Sequence, residues 1–252
     1  MMYDNVLFWL LLVAHLLGDF YMQSQEMADE KRKKFTSLLF HSGVYTIPII
    51  ILFIPIFSLQ LIIAILIIAI THFFIDLVKT KIKEEFISNT RKFIIDQCLH
   101  IAIISIIAYI YAINNWIAIN FIGDFLISTY NSLQITFSPK EFSKLFFVIL
   151  MIGKPANILI QELNKKYHTE KDDKNESKYK NAGKIIGTVE RILIVIMILL
   201  KQYSSIGLIF TAKTITRYDK ITKDPSFAEY YLVGTLLSLL VAILAMVFVN
   251  MT

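Results

Sequence analysis

The sequence predicts an all-α fold, a polytopic bundle of about eight transmembrane helices with both chain ends on the outer side. Three observations predict it. Of 252 residues, 56% are hydrophobic and 18% charged, and the mean hydropathy is +0.61, a balance too apolar for a soluble domain of this size. Charge is segregated, since the run 61–70 has none whereas Lys31, Arg32, Lys33 and Lys34 stand together. Basic residues also recur in every second connection between apolar runs, which is the pattern of loops held on the cytoplasmic side.

A helix needs about 20 apolar residues to cross a bilayer, and fewer inside a bundle. The first candidate, 6–21, carries His15 and Asp19 within its apolar run. It has no basic leader and no small-residue cleavage site, so it reads as a retained helix and not as a secretion signal. Lys31 to Lys34 follow it. The second and third, 39–57 and 59–78, are joined without a basic residue, and Lys81, Lys83, Arg91 and Lys92 follow the third. After the fourth, 93–113, the stretch 114–141 has scattered aromatics, Asp124 and Pro139, and is expected to be an external loop or a helix at the interface. The fifth, 142–163, precedes Lys165, Lys166, Lys171, Lys174, Lys178 and Lys180. The polar stretch 168–180 reads as a mobile loop in which His168 is solvated. The sixth, seventh and eighth are 185–200, the short 204–215 and 230–249, with Arg217, Lys220 and Lys223 after the seventh. Tyr3, Trp9, Trp116, Tyr203 and Tyr230 fall near expected interfaces, where aromatic belts sit. Three regions follow: a metal-site half over 1–113, the segment 114–141, and a second membrane half over 142–252 with a basic cytoplasmic loop near 164–184.

Several function classes are excluded. The single cysteine, Cys98, permits neither an intramolecular disulfide nor a cysteine-built zinc site. The net charge of +5 comes with no aromatic-interleaved basic module, so it reads as membrane topology and no nucleic-acid partner is expected.

Ionisable side chains inside spans cost about 2.5–3.5 kcal/mol each at a helix centre, so a cluster of them points to a functional site. The first span carries His15, Asp19 and Gln23, and the second opens with His41. The third ends with His72, Asp76 and Lys79, and the fourth opens with Asp96, Gln97 and His100. His15 and Asp19, His72 and Asp76, and Asp96 and His100 are each four residues apart, so each pair projects from one helical face. The topology brings all of them to one depth, near the cytoplasmic boundary. Imidazole with carboxylate and without thiolate suits zinc first, then manganese or iron. His15, Asp19, His72, Asp76, Asp96 and His100 are therefore the candidate ligands of one or two divalent ions. A coordination position open to water would lower the pKa of that water toward about 7 and favour hydrolysis. His41 is a further ligand or the general acid/base, and Lys79 and Gln97 are catalytic or ligand-orienting. Gln23, Lys154 and Arg191 are expected to contact substrate, the last two as a basic rim suited to phosphate or carboxylate. Competing structural readings are interhelical hydrogen bonding, and, for Gly183 and Gly187, a small-residue packing stripe beside Glu190 and Arg191.

The motifs His15-Leu16-Leu17-Gly18-Asp19-Phe20, His72-Phe73-Phe74-Ile75-Asp76 and Asp96-Gln97-Cys98-Leu99-His100, with Gln23, His41 and Lys79 between them, resemble those of the bacterial membrane proteins of unknown-function family 3307. The resemblance covers most of the chain and implies a multi-pass protein of the bacterial inner membrane. The arrangement is also loosely similar to that of membrane-bound metal-dependent hydrolases over the first hundred residues, which implies hydrolysis.

The reading that results is an integral membrane metal-dependent hydrolase with a cytoplasm-facing site, acting on a phospholipid or other phosphate ester and surrounded by membrane lipids. The alternatives are a divalent-cation or proton transporter using the same cluster, and a structural or partner-binding membrane protein.

Overall fold

The structure, a computed structural model, describes residues 4–83, 85–134, 136–164 and 176–251. Among these residues all regular structure is helical. In chain order, α1 (Asp4–Leu16) runs into a π turn (Leu17–Tyr21), followed by α2 (Gln25–Glu30) and α3 (Phe35–Phe53). A 3-10 turn (Ile54–Ile56) leads to α4 (Leu59–Lys81), α5 (Asn89–Asn114) and α6 (Phe121–Ser132). Then come α7 (Pro139–Ile152), α8 (Lys154–Asn164), α9 (Glu176–Leu199), α10 (Tyr203–Ile215), α11 (Tyr218–Lys223) and α12 (Pro225–Met251).

Caps explain where several helices begin. Ser24, Ser58 and Ser88 each accept, on Oγ, the N–H three residues ahead, at 3.1, 3.2 and 3.4 Å, which satisfies one of the donors a helix start leaves open. Before α7 the bond is reciprocal: Glu141 N donates to Ser138 Oγ at 3.2 Å while Ser138 N donates to Glu141 Oε2 at 2.7 Å.

Five segments among the described residues are long and apolar enough to cross a membrane: Phe35–Ile56, Leu59–Lys81, Asn89–Asn114, Pro139–Asn164 and Pro225–Met251. Their outward faces are apolar, as Phe40, Ile51, Leu66, Ile106 and Leu244 illustrate, so hydrocarbon is the solvent that suits them. Of the about eight expected spans these five meet that length and apolarity, and the other three are shorter or interrupted. Val6–Tyr21 is apolar but shorter. In α9, Lys184, Glu190 and Arg191 interrupt the apolar run, and α10 has 13 residues, about 20 Å of helix.

Two further expectations change. Part of the polar stretch 168–180 is helical, because α9 begins at Glu176; His168, Lys165, Lys166, Lys171 and Lys174 lie outside the described residues, as does Tyr3. Trp9 belongs to the core and not to an aromatic belt. It is buried, its ring meets Phe147 edge-on at 5.4 Å, and Lys144 Nζ lies 5.4 Å from its centroid.

The chain divides into two compact units, Met1–Phe147 and Val148–Thr252. In the first, α1 packs on α3 and α5 while α4 packs on the same two, so the four close a ring. Leu12, Leu38, Ile49, Phe53, Leu61, Ile68 and Ile104 are buried within it. At one end, α6 is pinned to the 3-10 turn. Asn120 Nδ2 donates to Ile54 O at 2.6 Å and Asn120 N donates to Pro55 O at 3.1 Å. In the second unit α12 packs on α8, α9 and α11, and α10 packs on α9.

The π turn is visible in its hydrogen bonding, since Met22 N donates to Leu17 O, five residues back, at 2.8 Å. It lies against α3 at Gly18, where a Cβ would stand 2.8 Å from Tyr45 O and 2.9 Å from Tyr45 Cδ2. Gly18→Ala is therefore expected to destabilise the detergent-solubilised protein by about 1–3 kcal/mol through overpacking. Gly43→Ala on α3, where a Cβ meets nothing within 4 Å, is expected to be neutral or stabilising by up to about 1 kcal/mol. Thermal unfolding of the two variants beside the native protein checks the contrast.

Candidate metal centre

The helix ends that adjoin the connections 22–34 and 82–88 carry polar side chains pointing into the four-helix ring. Asp19 comes from the π turn, His41 from the second turn of α3, His72 and Asp76 from the end of α4, and Asp96 and His100 from the start of α5. All six are buried.

One ligand atom from each of Asp19, His41, His72 and Asp76 falls within a set whose members are all within 4.8 Å of one another. His41 Nε2 lies 3.3 Å from His72 Nε2 and 3.4 Å from both Asp19 Oδ1 and Asp76 Oδ2, and His72 Nε2 lies 3.6 Å from Asp76 Oδ2. An ion binding nitrogen and oxygen at about 2.0–2.1 Å sets tetrahedral ligand atoms about 3.3–3.4 Å apart. The four spacings around His41 and His72 are close to that, and the remaining pairs of the set lie within 4.8 Å. A second set, Asp76, Asp96 and His100, meets the same 4.8 Å condition and shares Asp76.

The carboxylates are oriented by neighbours. Gln97 Nε2 donates to Asp19 Oδ2 at 2.8 Å and to Asp96 Oδ2 at 3.1 Å. Lys79 Nζ donates to the same Asp96 oxygen at 2.6 Å, and Lys31 Nζ donates to Asp76 Oδ2 at 2.9 Å. In both Asp19 and Asp96 one oxygen is thus held from outside while the other faces an imidazole Nε2. Outer contacts of this kind are what fix ligand orientation at metal sites.

Of the residues expected as ligands, His15 stands apart from both sets. Its Nδ1 is 3.1 Å from Tyr45 Oη and its Nε2 is 3.1 Å from Gln97 Oε1. Because the Gln97 amide nitrogen serves two carboxylates, its oxygen must accept, which puts the His15 proton on Nε2 and leaves Nδ1 to accept from the Tyr45 hydroxyl. The physical reason for the departure is the π turn. A wider turn rotates less per residue, so Asp19 is displaced from the face it would share with His15 at ordinary i,i+4 spacing. On α4 and α5 the helix is regular, and His72 with Asp76 and Asp96 with His100 keep their shared faces at 3.6 and 3.5 Å.

His41, read from the sequence as a ligand or an acid/base, sits at the centre of the first set. Gln23 orients its amide nitrogen to donate to Asp19 O at 2.8 Å and its oxygen to accept from Lys31 Nζ at 3.1 Å. Two residues are new. Tyr45 stacks on His72 with centroids 3.6 Å apart and planes 4° off parallel; its signal was the four-residue step from His41. Lys31 belongs to the basic run after the first span and is folded back to Asp76, which no local pattern marks.

Lys154 and Arg191 lie in the second unit. Arg191 is buried there, donating from Nε to Ile152 O at 2.6 Å, from Nη1 to Ser238 Oγ at 3.2 Å and from Nη2 to Asn157 Oδ1 at 2.7 Å. Gly187 makes room for it, since a Cβ would be 3.2 Å from Nη1, whereas Gly183 meets nothing within 4 Å. Nearby, Lys213 Nζ donates to Glu190 Oε2 at 2.6 Å and to Thr235 Oγ1 at 3.1 Å.

The Lys31–Asp76 pair has side chains only 9% and 1% exposed. Removing one member of a buried pair leaves the other charge uncompensated, at about 3–5 kcal/mol. Lys31→Met is expected to destabilise chelator-treated protein by that order, and the double variant Lys31→Met with Asp76→Asn should recover most of the loss. Unfolding in detergent after dialysis against a chelator measures both.

Residues 7–127 match a family model described as protein of unknown function (DUF3307), a stretch that contains every member of both ligand sets. No curated protein and no solved structure matches the chain. The match supports the resemblance to the unknown-function family, and nothing in these comparisons supports the looser likeness to membrane-bound hydrolases. Over residues 7–127 the chain is thus similar to a family without an assigned activity, and its chemistry has to be argued from the site.

Proposed function

We propose that the chain is an integral membrane metal-dependent hydrolase whose divalent ion is held by Asp19, His41, His72 and Asp76. The observation that carries this reading is the convergence of two imidazole nitrogens and two carboxylate oxygens from four helical segments, at the spacing of a tetrahedral shell. Zinc fits this donor set first, with manganese or iron next.

When bound, the ion would supply Lewis acidity, and because four protein ligands already fill a tetrahedral shell, an activated water would enter as a fifth ligand. The rest is the chain's own work. Gln97 holds Asp19 and Asp96 in fixed orientations, and neutral His15, accepting from the Tyr45 hydroxyl on Nδ1, donates from Nε2 to the Gln97 oxygen and so fixes it. Lys31 and Lys79 place two ammonium groups against the carboxylates, where they can also donate to an anionic oxygen. That favours a phosphate ester, and the apolar surroundings favour one carried by a lipid. A cation or proton carrier would need polar groups continuing along the ring. Beyond the cluster the buried side chains Ile49, Phe53, Leu61, Ile65, Ile104 and Ile107 are apolar, with the Tyr111 hydroxyl the polar atom at the far end, which weighs for an enzyme opening on one side.

In this reading α1, α9 and α10 complete eight crossings of the cytoplasmic membrane, with the ends outside and the cluster near the cytoplasmic face. The support is the placement of Lys31 to Lys34, Lys81, Lys83, Arg91 and Lys92 at the cluster's end of the helices. In a Cys98→Ser background, Ile87→Cys is expected to react with an impermeant maleimide only in inverted vesicles, and Ser132→Cys only in right-side-out ones. The opposite or a mixed pattern rejects this orientation.

The metal is tested by elemental analysis of protein purified in detergent with zinc, manganese and iron supplied. The native chain should retain an ion and hydrolyse model phosphate esters or phospholipids, while Asp76→Ala and His41→Ala should lose both. His15→Ala should keep the ion with affinity lowered about 10–100-fold, as for an outer contact. Metal-free native protein with unchanged melting in all three variants overturns the reading.

A further inference from the structure

The second ligand set has a feature that bundle packing does not explain. Asp96 and His100 are 2% and 3% exposed, yet Asp96 Oδ1 and His100 Nε2 have no hydrogen-bond partner among the described residues. The two orphan atoms face each other at 3.5 Å. Leaving a buried polar atom unpaired costs about 1–3 kcal/mol, and here an acceptor oxygen and an imidazole nitrogen have only this long contact with each other. The other Asp96 oxygen is doubly held, by Lys79 at 2.6 Å and by Gln97 at 3.1 Å. A carboxylate with one oxygen fixed from behind and the other aimed at an imidazole nitrogen is oriented as a monodentate ligand is. Asp19 repeats this arrangement in the first set, through the same Gln97.

The two sets adjoin. Asp76 belongs to both, and the rings of His72 and His100, one from each set, have centroids 4.4 Å apart. A shared carboxylate is what bridges the two ions of a pair standing about 3.5–4 Å apart. We infer that Asp76, Asp96 and His100 hold a second divalent cation bridged to the first by Asp76, and that the pair takes a phosphate group as its ligand.

The phosphate part follows from charge. Asp19, Asp76 and Asp96 carry three negative charges, and Lys31 and Lys79 return two of them. One divalent ion among neutral imidazoles leaves the cluster with one positive charge; two ions leave it with three. An uncompensated triple charge inside an apolar bundle is not stable without anionic ligands. A phosphate oxyanion brings multiple charges on oxygens spaced to bridge two ions, and the two ammonium groups stand beside the carboxylates it would approach.

The inference rests on the first-ion reading, and ion stoichiometry separates the two. Manganese-loaded native protein should contain two ions per chain and show the exchange-coupled electron paramagnetic resonance spectrum of a bridged pair, a readout that needs no variant. Asp96→Asn and His100→Ala should each retain one ion with an uncoupled spectrum. Inorganic phosphate and, separately, short-chain phosphatidic acid in the same micelles should then be added. A change in the coupled spectrum with either supports the phosphate assignment, and the arm that responds tells free phosphate from a lipid headgroup. One ion per native chain, or two ions retained by both variants, overturns the second position and leaves the first standing. No ion at all overturns both readings, and a coupled pair blind to both phosphates overturns the anion.

Discussion

Three carboxylates buried in an apolar bundle must be compensated, and the first unit is arranged around that necessity. Asp19, Asp76 and Asp96 are each less than 8% exposed. An isolated carboxylate in such surroundings would cost several kcal/mol. Each is met by a partner from a different part of the chain: Asp76 by Lys31 from the end of α2, Asp96 by Lys79 from α4, and Asp19 by Gln97 from α5. These contacts tie α2, α4, α5 and the π turn at one level of the ring. The apolar packing below that level holds the helices together but does not choose their rotation. The polar contacts do, because a small rotation of α5 would remove Gln97 from Asp19 and Asp96 at once.

The π turn is the backbone counterpart of this arrangement. By inserting a wide turn at Leu17–Tyr21, the first helix presents His15 to Tyr45 and Gln97 and Asp19 to His41, two directions that one regular helical face does not offer. Gly18 makes the close approach to Tyr45 feasible. Tyr45 in turn stacks on His72 and bonds His15, so a single α3 side chain positions imidazoles from two other helices. Irregular helices recur at functional sites because they re-aim side chains in this way.

The second unit uses polar groups differently. Arg191 donates to Ile152 O, Ser238 Oγ and Asn157 Oδ1, and Lys213 is paired with Glu190. These contacts join α7, α8, α9, α10 and α12. They are the interhelical hydrogen bonds that stabilise membrane bundles, and they account for Gly187, whose missing side chain leaves space for the guanidinium.

The sequence alone determined what depends on composition and local spacing. It was enough to show an all-helical chain with apolar spans, basic helix ends, and a His/Asp cluster drawn from four segments. The i,i+4 pairs on α4 and α5 were legible because a regular helix carries them on one face. Tertiary structure decided everything that depends on which helices are neighbours and where a helix departs from regularity. It removed His15 from the ligand sets, brought Lys31 back onto Asp76, gave Gln97 two carboxylates, buried Trp9 against Phe147, and showed α9 and α10 to be helices without a long apolar run. The reason is physical. A periodic pattern reports the direction a side chain takes from its own axis, whereas a hydrogen-bond partner is set by the packing of axes and by a single inserted residue in a turn.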